Sequence, residues 1–167
     1  MDIKSKTVTL LAAIFSKEIA LMFIAALPIF ELRLAVPLAV LQFGFSFPKA
    51  YCLAVAGNLL PVLPLLLFFR YFFHRLENVK VVGKFFSWWF KRVEKKSKVV
   101  QRWGFWGLVL FVAIPLPVTG AWTGTVAATL FEIKLRKAFL AIFIGISIAG
   151  IVVSFIVAVA LGLLAGQ

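Results

Sequence analysis

The sequence predicts an all-α integral membrane protein made of two inverted repeats, each a re-entrant helical hairpin followed by a transmembrane helix, joined by a basic amphipathic linker. Three observations predict it. The chain is 63% apolar and 16% aromatic, with 19 Phe, and its mean hydropathy is +1.08, whereas an ordinary soluble domain is about 45–50% apolar. Its hydrophobic stretches have the lengths of one full membrane crossing or of two half crossings. Its two halves carry the same landmarks in the same order.

A spanning helix needs about 20 apolar residues. Residues 48–69 (PKAYCLAVAGNLLPVLPLLLFF) number 22, with one charge, Lys49, at the edge. Residues 138–165 (AFLAIFIGISIAGIVVSFIVAVALGLLA) number 28 with no charge, long enough to cross with tilt. Both are read as spans.

Residues 19–47 and 103–131 are each 29 long, too short for two crossings and a turn. As single crossings they would carry Pro28, Glu31, Arg33 and Pro37, or the break PLPVTGAWTG, in their interiors. Two half-helices joined by a loop, entering and leaving by one face, suit both lengths. Irregular backbone at membrane depth is tolerated only where protein or a water-filled cavity satisfies it, so a core site is implied. Residues 1–17 hold an apolar run at 7–15, too short to cross and expected to lie at the interface. In an alternative topology residues 8–30 form a true span, which places Lys17 and Glu18 near mid-membrane.

Residues 70–102 hold ten Lys and Arg against two Glu, the mark of the cytoplasmic side. Phe72, Leu76, Val79, Val82, Phe86, Trp89 or Phe90, and Val93 recur at helical spacing, which predicts an amphipathic helix at the interface. Arg102 precedes the second hairpin and Lys134, Arg136 and Lys137 follow it, so its mouth faces inward; the first hairpin then opens outside. The whole is one multi-pass domain of the inner membrane: an N-terminal segment (1–17), a first repeat (18–69), the linker (70–102) and a second repeat (103–167).

Sliding the chain on itself aligns Pro28 with Pro115 at an offset of 87. At 88, Lys49-Ala50 falls on Lys137-Ala138 and Gly57 on Gly145. One crossing separates equivalent points, so the repeats run in opposite orientation, a layout whose interrupted segments mark the binding site of many transporters.

Glu31 and Arg33 are the chemistry-bearing pair. Each would cost about 2.5–3.5 kcal/mol in hydrocarbon on insertion scales, and contact between them would need a non-helical turn, since residues two apart do not face each other in a helix. They either satisfy loop backbone or serve function. The loop PLPVTGAWTG is uncharged, with Thr119, Thr123 and then Thr125; Gly120 and Gly124 have the spacing that lets backbones approach closely. Its N–H groups and the following helix N-terminus suit an anion, so Arg33 and this loop make a plausible anion site, with Glu31 as proton carrier. Asn58, mid-span beside Gly57 and before Pro61 and Pro64, is expected to bond freed carbonyls or to line the cavity.

Other classes fare poorly. The charge of +12 would suit nucleic acid in a soluble chain, but the positive-inside rule accounts for it here. Six acids, no metal-spaced His or Cys cluster and no nucleophile motif argue against an enzyme. Cys52 reads as a small buried apolar residue and His74 as an interfacial one.

The stretches PIFELRLAVPLAV, AVAGNLLPVLP and above all FVAIPLPVTGAWTGTVAATLF resemble the small multidrug export protein family, over nearly the entire chain. That family usually has Gly where Val118 stands, which bears on the loop's turn. It looks like a compact relative of the DedA superfamily, whose members are understood to have two oppositely facing re-entrant hairpins. Some of these are implicated in moving lipid carriers such as undecaprenyl phosphate and in resistance to antimicrobial compounds. The resemblance implies functional roles for Glu31, Arg33, Asn58, Pro115, Pro117, Thr119, Gly120, Trp122, Thr123 and Gly124, with no catalytic residue, metal or cofactor. The expected function is transport of an amphiphilic or anionic head-group substrate, such as a lipid-linked phosphate, coupled to protons or sodium by a homo-oligomer in the bilayer. The alternatives are export of cationic drugs and a membrane scaffold that does not transport.

Overall fold

The computed structural model describes residues 16–77, 88, 91–95, 97–115 and 119–165. Among them there is no strand, and the helices are α1 (Lys17–Ala26), α2 (Glu31–Leu41), α3 (Phe47–Leu59), α4 (Val62–Glu77), α5 (Lys98–Ala113), α6 (Ala121–Leu130) and α7 (Leu135–Ala165). Two helical stretches, Phe47–Tyr71 and Leu135–Gly162, have the length and hydropathy of membrane spans, at mean hydropathy 2.2 and 2.8. The chain divides into two compact units, one of Met1–Leu60 with Gly150–Gln167 and one of Pro61–Ala149.

In the first unit the Ser16 hydroxyl accepts from the Ile19 N–H at 3.5 Å and so caps α1. This satisfies one of the donors that every helix N-terminus leaves over. The helix stops at Ala26, and after the turn 27–30 α2 packs back on α1 as a helical hairpin. Of the alternative span over 8–30, residues 8–15 lie outside the described residues, and the remainder holds one helix, from Lys17 to Ala26. Pro37 lies inside α2 and does not break it. A proline removes one helical N–H, here the donor to the Arg33 carbonyl, and neighbouring helices can hold the remainder in place.

Five residues later α3 begins, with Pro48 in its first turn where the missing N–H is no loss. It packs on both α1 and α2. A Cβ at Gly57 would lie 2.5 Å from the Met22 carbonyl oxygen, so the α1 and α3 backbones meet there. Fully buried Ala20, Ala25, Ala35, Ala39, Ala50 and Ala54 make this close approach general. Cys52, by contrast, is exposed on α3. A span presents apolar residues outward as well as inward, so an apolar neighbourhood does not predict burial.

In the second unit α5 bends sharply at Gly104 (φ 52°, ψ −116°), a backbone region that glycine alone enters easily. The bend lets Gly107 rest against the backbone of Val99 and Val100. Helix α6 packs on α4 and α5, and the Arg70 guanidinium donates to the Ile133 carbonyl at 3.0 Å just beyond α6. Val112 presses on both Gly124 and Gly145, 2.6 Å from where a Cβ would stand at each.

Helix α4 runs through Glu77, into the residues expected to form the linker. Of its predicted apolar stripe, Val93 is buried and the flanking Lys91, Arg92, Glu94 and Lys95 are exposed. The side chains of Phe72 and Leu76, the His74 reading, and Val79, Val82, Phe86, Trp89 and Phe90 lie outside the described residues, as does the N-terminal segment through residue 15.

Candidate functional site

The first hairpin turns over Leu27–Phe30, where the Leu27 carbonyl accepts from the N–H groups of Phe30 (3.2 Å) and Glu31 (3.0 Å). Pro28 suits the turn because its φ is already set and it has no N–H to satisfy. Glu31 follows at φ 46°, a left-handed conformation that costs a non-glycine residue about 1–2 kcal/mol. Its residue is only 7% exposed. Glu31 and Arg33 were expected in a loop between two helix breakers; they occupy the first turn of α2 instead. Two positions apart on a helix is about 200° of rotation, and the outcome differs accordingly, since Glu31 is buried and Arg33 half-buried. Both residues take part in further polar interactions.

Asn58 lies one residue beyond the Gly57 contact and is 2% exposed. Its Oδ1 has no hydrogen-bond partner among the described residues. The expected bond to freed carbonyls uses the amide N–H groups, so the oxygen is the informative atom: a buried acceptor left without a donor is costly, by about 1–3 kcal/mol.

In the second hairpin α5 ends at Ala113 and α6 begins at Ala121; of the residues between them 116–118, including Pro117, lie outside the described residues. The Thr119 hydroxyl donates to the Ile114 carbonyl at 2.7 Å and ties the two ends of the turn. Gly120 is the N-cap of α6 at φ 136°, ψ −168°, another conformation essentially confined to glycine. Trp122, Thr123 and Gly124, expected in the loop, form the first turn of α6. Their polar groups are turned onto the helix itself: Thr123 donates to Gly120 at 3.3 Å and the buried Thr125 to Trp122 at 2.6 Å. Gly124 receives the Val112 side chain, so its small size serves side-chain packing where a backbone contact was expected. The Gly124 N–H donates to the Gly120 carbonyl at 2.8 Å, and the N–H groups ahead of it in α6 have no acceptor within the helix.

Glu31, Arg33 and Asn58 thus belong to the first unit, and Pro115, Thr119, Gly120, Trp122, Thr123 and Gly124 to the second. Two features of the first unit escaped the sequence. One is an apolar groove of about 450 Å³ between α3 and the far half of α7, lined by Phe47, Pro48, Tyr51, Ile151, Ser154, Phe155 and Ala158. The other is that the Ser154 hydroxyl on this groove has no hydrogen-bond partner among the described residues, whereas Ser147 on the same helix donates back to Phe143 at 2.9 Å. The signal available in the sequence was a serine in an apolar run, one of two there. At the exposed end of the unit, Lys49 Nζ stands 2.6 Å from Glu18 Oε1 and 4.1 Å from the Phe45 ring centre. The Lys49 hydrogen bond holds the Glu18 carboxyl below its ordinary range.

Residues 31–152 match the sequence model of the family described as "Putative small multi-drug export protein". No curated protein and no solved structure matches the chain.

Proposed function

The chain belongs to this export family, and from that premise we propose that it is a transporter that moves an amphiphilic or anionic head-group substrate, such as a lipid-linked phosphate, across the cytoplasmic membrane, coupled to an ion through Glu31. One observation carries the reading: a buried carboxylate on a left-handed, non-glycine backbone at the turn of a short helical hairpin. Intramembrane ionisable groups mark ion and substrate pathways by default, because a group that costs energy to bury is kept only where it acts.

Helix lengths support the re-entrant form of the hairpins. Helices of 10, 11 and 10 residues (α1, α2 and α6) reach about 15–16 Å, half the hydrocarbon core. The inverted repeat is supported by its spans: Gly57 receives α1 at Met22, and 88 residues on Gly145 receives α5 at Val109 and Val112. Each unit also contains one hairpin and one half of each long helix. The groove beside Ser154 suits the apolar tail of an amphiphile. Lys91, Arg92, Lys95, Lys98 and Arg102, all exposed, favour the cytoplasmic face for that segment.

A second reading, export of a cationic drug, is favoured by the family's description and by Glu31 as a buried acid. Reconstituted transport separates the two. Under the anionic reading Glu31→Gln and Arg33→Ala both abolish transport of an anionic amphiphile; under the cationic reading only Glu31→Gln does, and Arg33→Ala leaves or raises drug transport. Full activity in both variants with either substrate removes these residues from the mechanism.

A further inference from the structure

We propose that the described residues of 88–106, in the second unit, lie in the headgroup layer of the membrane and bind anionic phospholipids there. The inference concerns a surface away from both hairpin tips and takes nothing from the transport reading.

The character of α5 changes at its bend. Beyond Gly104, residues 107–113 are buried except for Leu110, and the exposed side chains there, Leu110 and Ile114, are apolar. Before it the exposed positions of α5 are Lys98, Gln101, Arg102 and Trp103. The bend also keeps these two sets close in level. Residues 100 and 107 would stand about 10 Å apart along a straight helix, yet Gly107 rests against the backbone of Val99 and Val100. The polar turns are thus held at the level of Gly107, three residues or about 5 Å from the bend, which is the thickness of a headgroup layer, about 5–7 Å on each side of the hydrocarbon core.

The segment has an inner and an outer face. Val93, Ser97 and Val100 are buried. The Ser97 N–H and hydroxyl both donate to the Val93 carbonyl, at 2.9 and 2.7 Å, and the Ser97 carbonyl accepts from the Gln101 N–H at 3.1 Å, so helix-like bonds carry this inner face through the joint that precedes α5. The outer face exposes Lys91, Arg92, Lys95, Lys98 and Arg102, and Glu94 is the one acid in the sequence from 88 to 106.

Neither water nor hydrocarbon suits that outer face. Trp88, Trp103 and Trp106 are 57%, 63% and 66% exposed, a large apolar area to leave in water, while the five cations would be costly among acyl chains. Tryptophan interleaved with Lys and Arg is what the boundary between the two media favours, and the Arg92 guanidinium carbon stands 5.6 Å from the Trp88 ring centre. Charge complementarity then selects the lipid. Five cations against one acid are drawn to a headgroup of net negative charge, each basic residue near such a surface adding to the attraction, whereas a zwitterionic headgroup offers no net charge to meet them.

The test is the lipid preference of the purified full chain in bilayers of phosphatidylcholine mixed with phosphatidylglycerol, one or the other carrying bromine to quench tryptophan fluorescence. Wild type is expected to be quenched more strongly by brominated phosphatidylglycerol than by brominated phosphatidylcholine at equal fractions, and the preference should shrink as salt is raised. The combined variant Lys91→Gln, Arg92→Gln, Lys95→Gln, Lys98→Gln and Arg102→Gln keeps every tryptophan and should lower the preference by about threefold or more. Lys17→Gln with Lys49→Gln, in the first unit, should leave it unchanged. Should the combined variant fail to fold, the salt dependence of wild type decides. Equal quenching by the two lipids at low salt overturns the proposal, as does a preference that high salt or the folded combined variant leaves intact. Tryptophans quenched by acrylamide from the water and by neither lipid overturn it in favour of a soluble acidic partner.

Discussion

The two hairpins solve one problem with different chemistry. The first turns in four residues and buries Glu31 on a strained backbone. The second turns through Gly120 and ties its ends with the uncharged Thr119 bond. Since an uncharged tip can close a hairpin of similar arm length, the charge at the first tip is not a requirement of turning. It adds a desolvation cost and a backbone cost that the second hairpin avoids. That difference is the physical reason to read Glu31 as functional and Gly120 as architectural.

The largest test of this division concerns the spans behind each hairpin. Gly57→Ala puts a methyl group against the Met22 backbone, which no rotamer change can move, whereas Gly145→Ala meets chiefly the Val112 side chain. Overpacking typically costs about 1–3 kcal/mol; Gly57→Ala is expected at or above the top of that range and Gly145→Ala within it, by thermal unfolding in detergent. Equal losses would break the distinction between a backbone and a side-chain contact.

Next come the tips themselves, where substitutions should move stability in opposite directions. Gly120→Ala forces a side chain into a conformation that costs about 1–3 kcal/mol and should lower stability by that order. Glu31→Gly relieves left-handed strain and a buried charge and should raise the melting temperature while abolishing transport. A destabilised Glu31→Gly would mean that the carboxylate holds the turn after all. Removal of one hydrogen bond in Thr119→Val should cost less, about 0.5–1.5 kcal/mol, with transport reduced only in proportion to folded protein.

The smallest effect lies at the exposed mouth of the first unit. Glu18 has its folded pKa lowered by Lys49, so the pair's stabilisation is present above the unfolded carboxyl's value and is lost as pH falls through the lowered folded one. Exposed pairs of this kind are screened by salt. Melting of wild type should therefore converge on that of Lys49→Met as pH is taken below the ordinary glutamate range, and the small gap above it should shrink in high salt.

Much of the architecture was legible because it depends on length and composition. Residues 48–69 and 138–165 were readable as spans from apolar count alone, and the helical stretches of span length, Phe47–Tyr71 and Leu135–Gly162, differ from them by no more than three residues at either end. The hairpin turns were displaced by several residues for a local reason. Prolines mark a turn without saying on which side of it the helix resumes, so Pro37 became a helical residue while Pro28 stayed in the turn. Likewise the glycines of PLPVTGAWTG did not reveal that Gly120 ends the loop and Gly124 packs inside a helix.

Composition and segment length by themselves determined the membrane class, the two spans and the places where helices are interrupted, because transfer from water to hydrocarbon depends on residue content summed over about 20 positions. Only the tertiary structure decided which polar atoms are buried. Glu31 and Arg33 share one apolar segment and differ in burial, and Asn58 keeps an acceptor without a donor where Ser147 finds a carbonyl. Burial and hydrogen bonding depend on which helix faces come together, and that is settled by packing between segments distant in sequence.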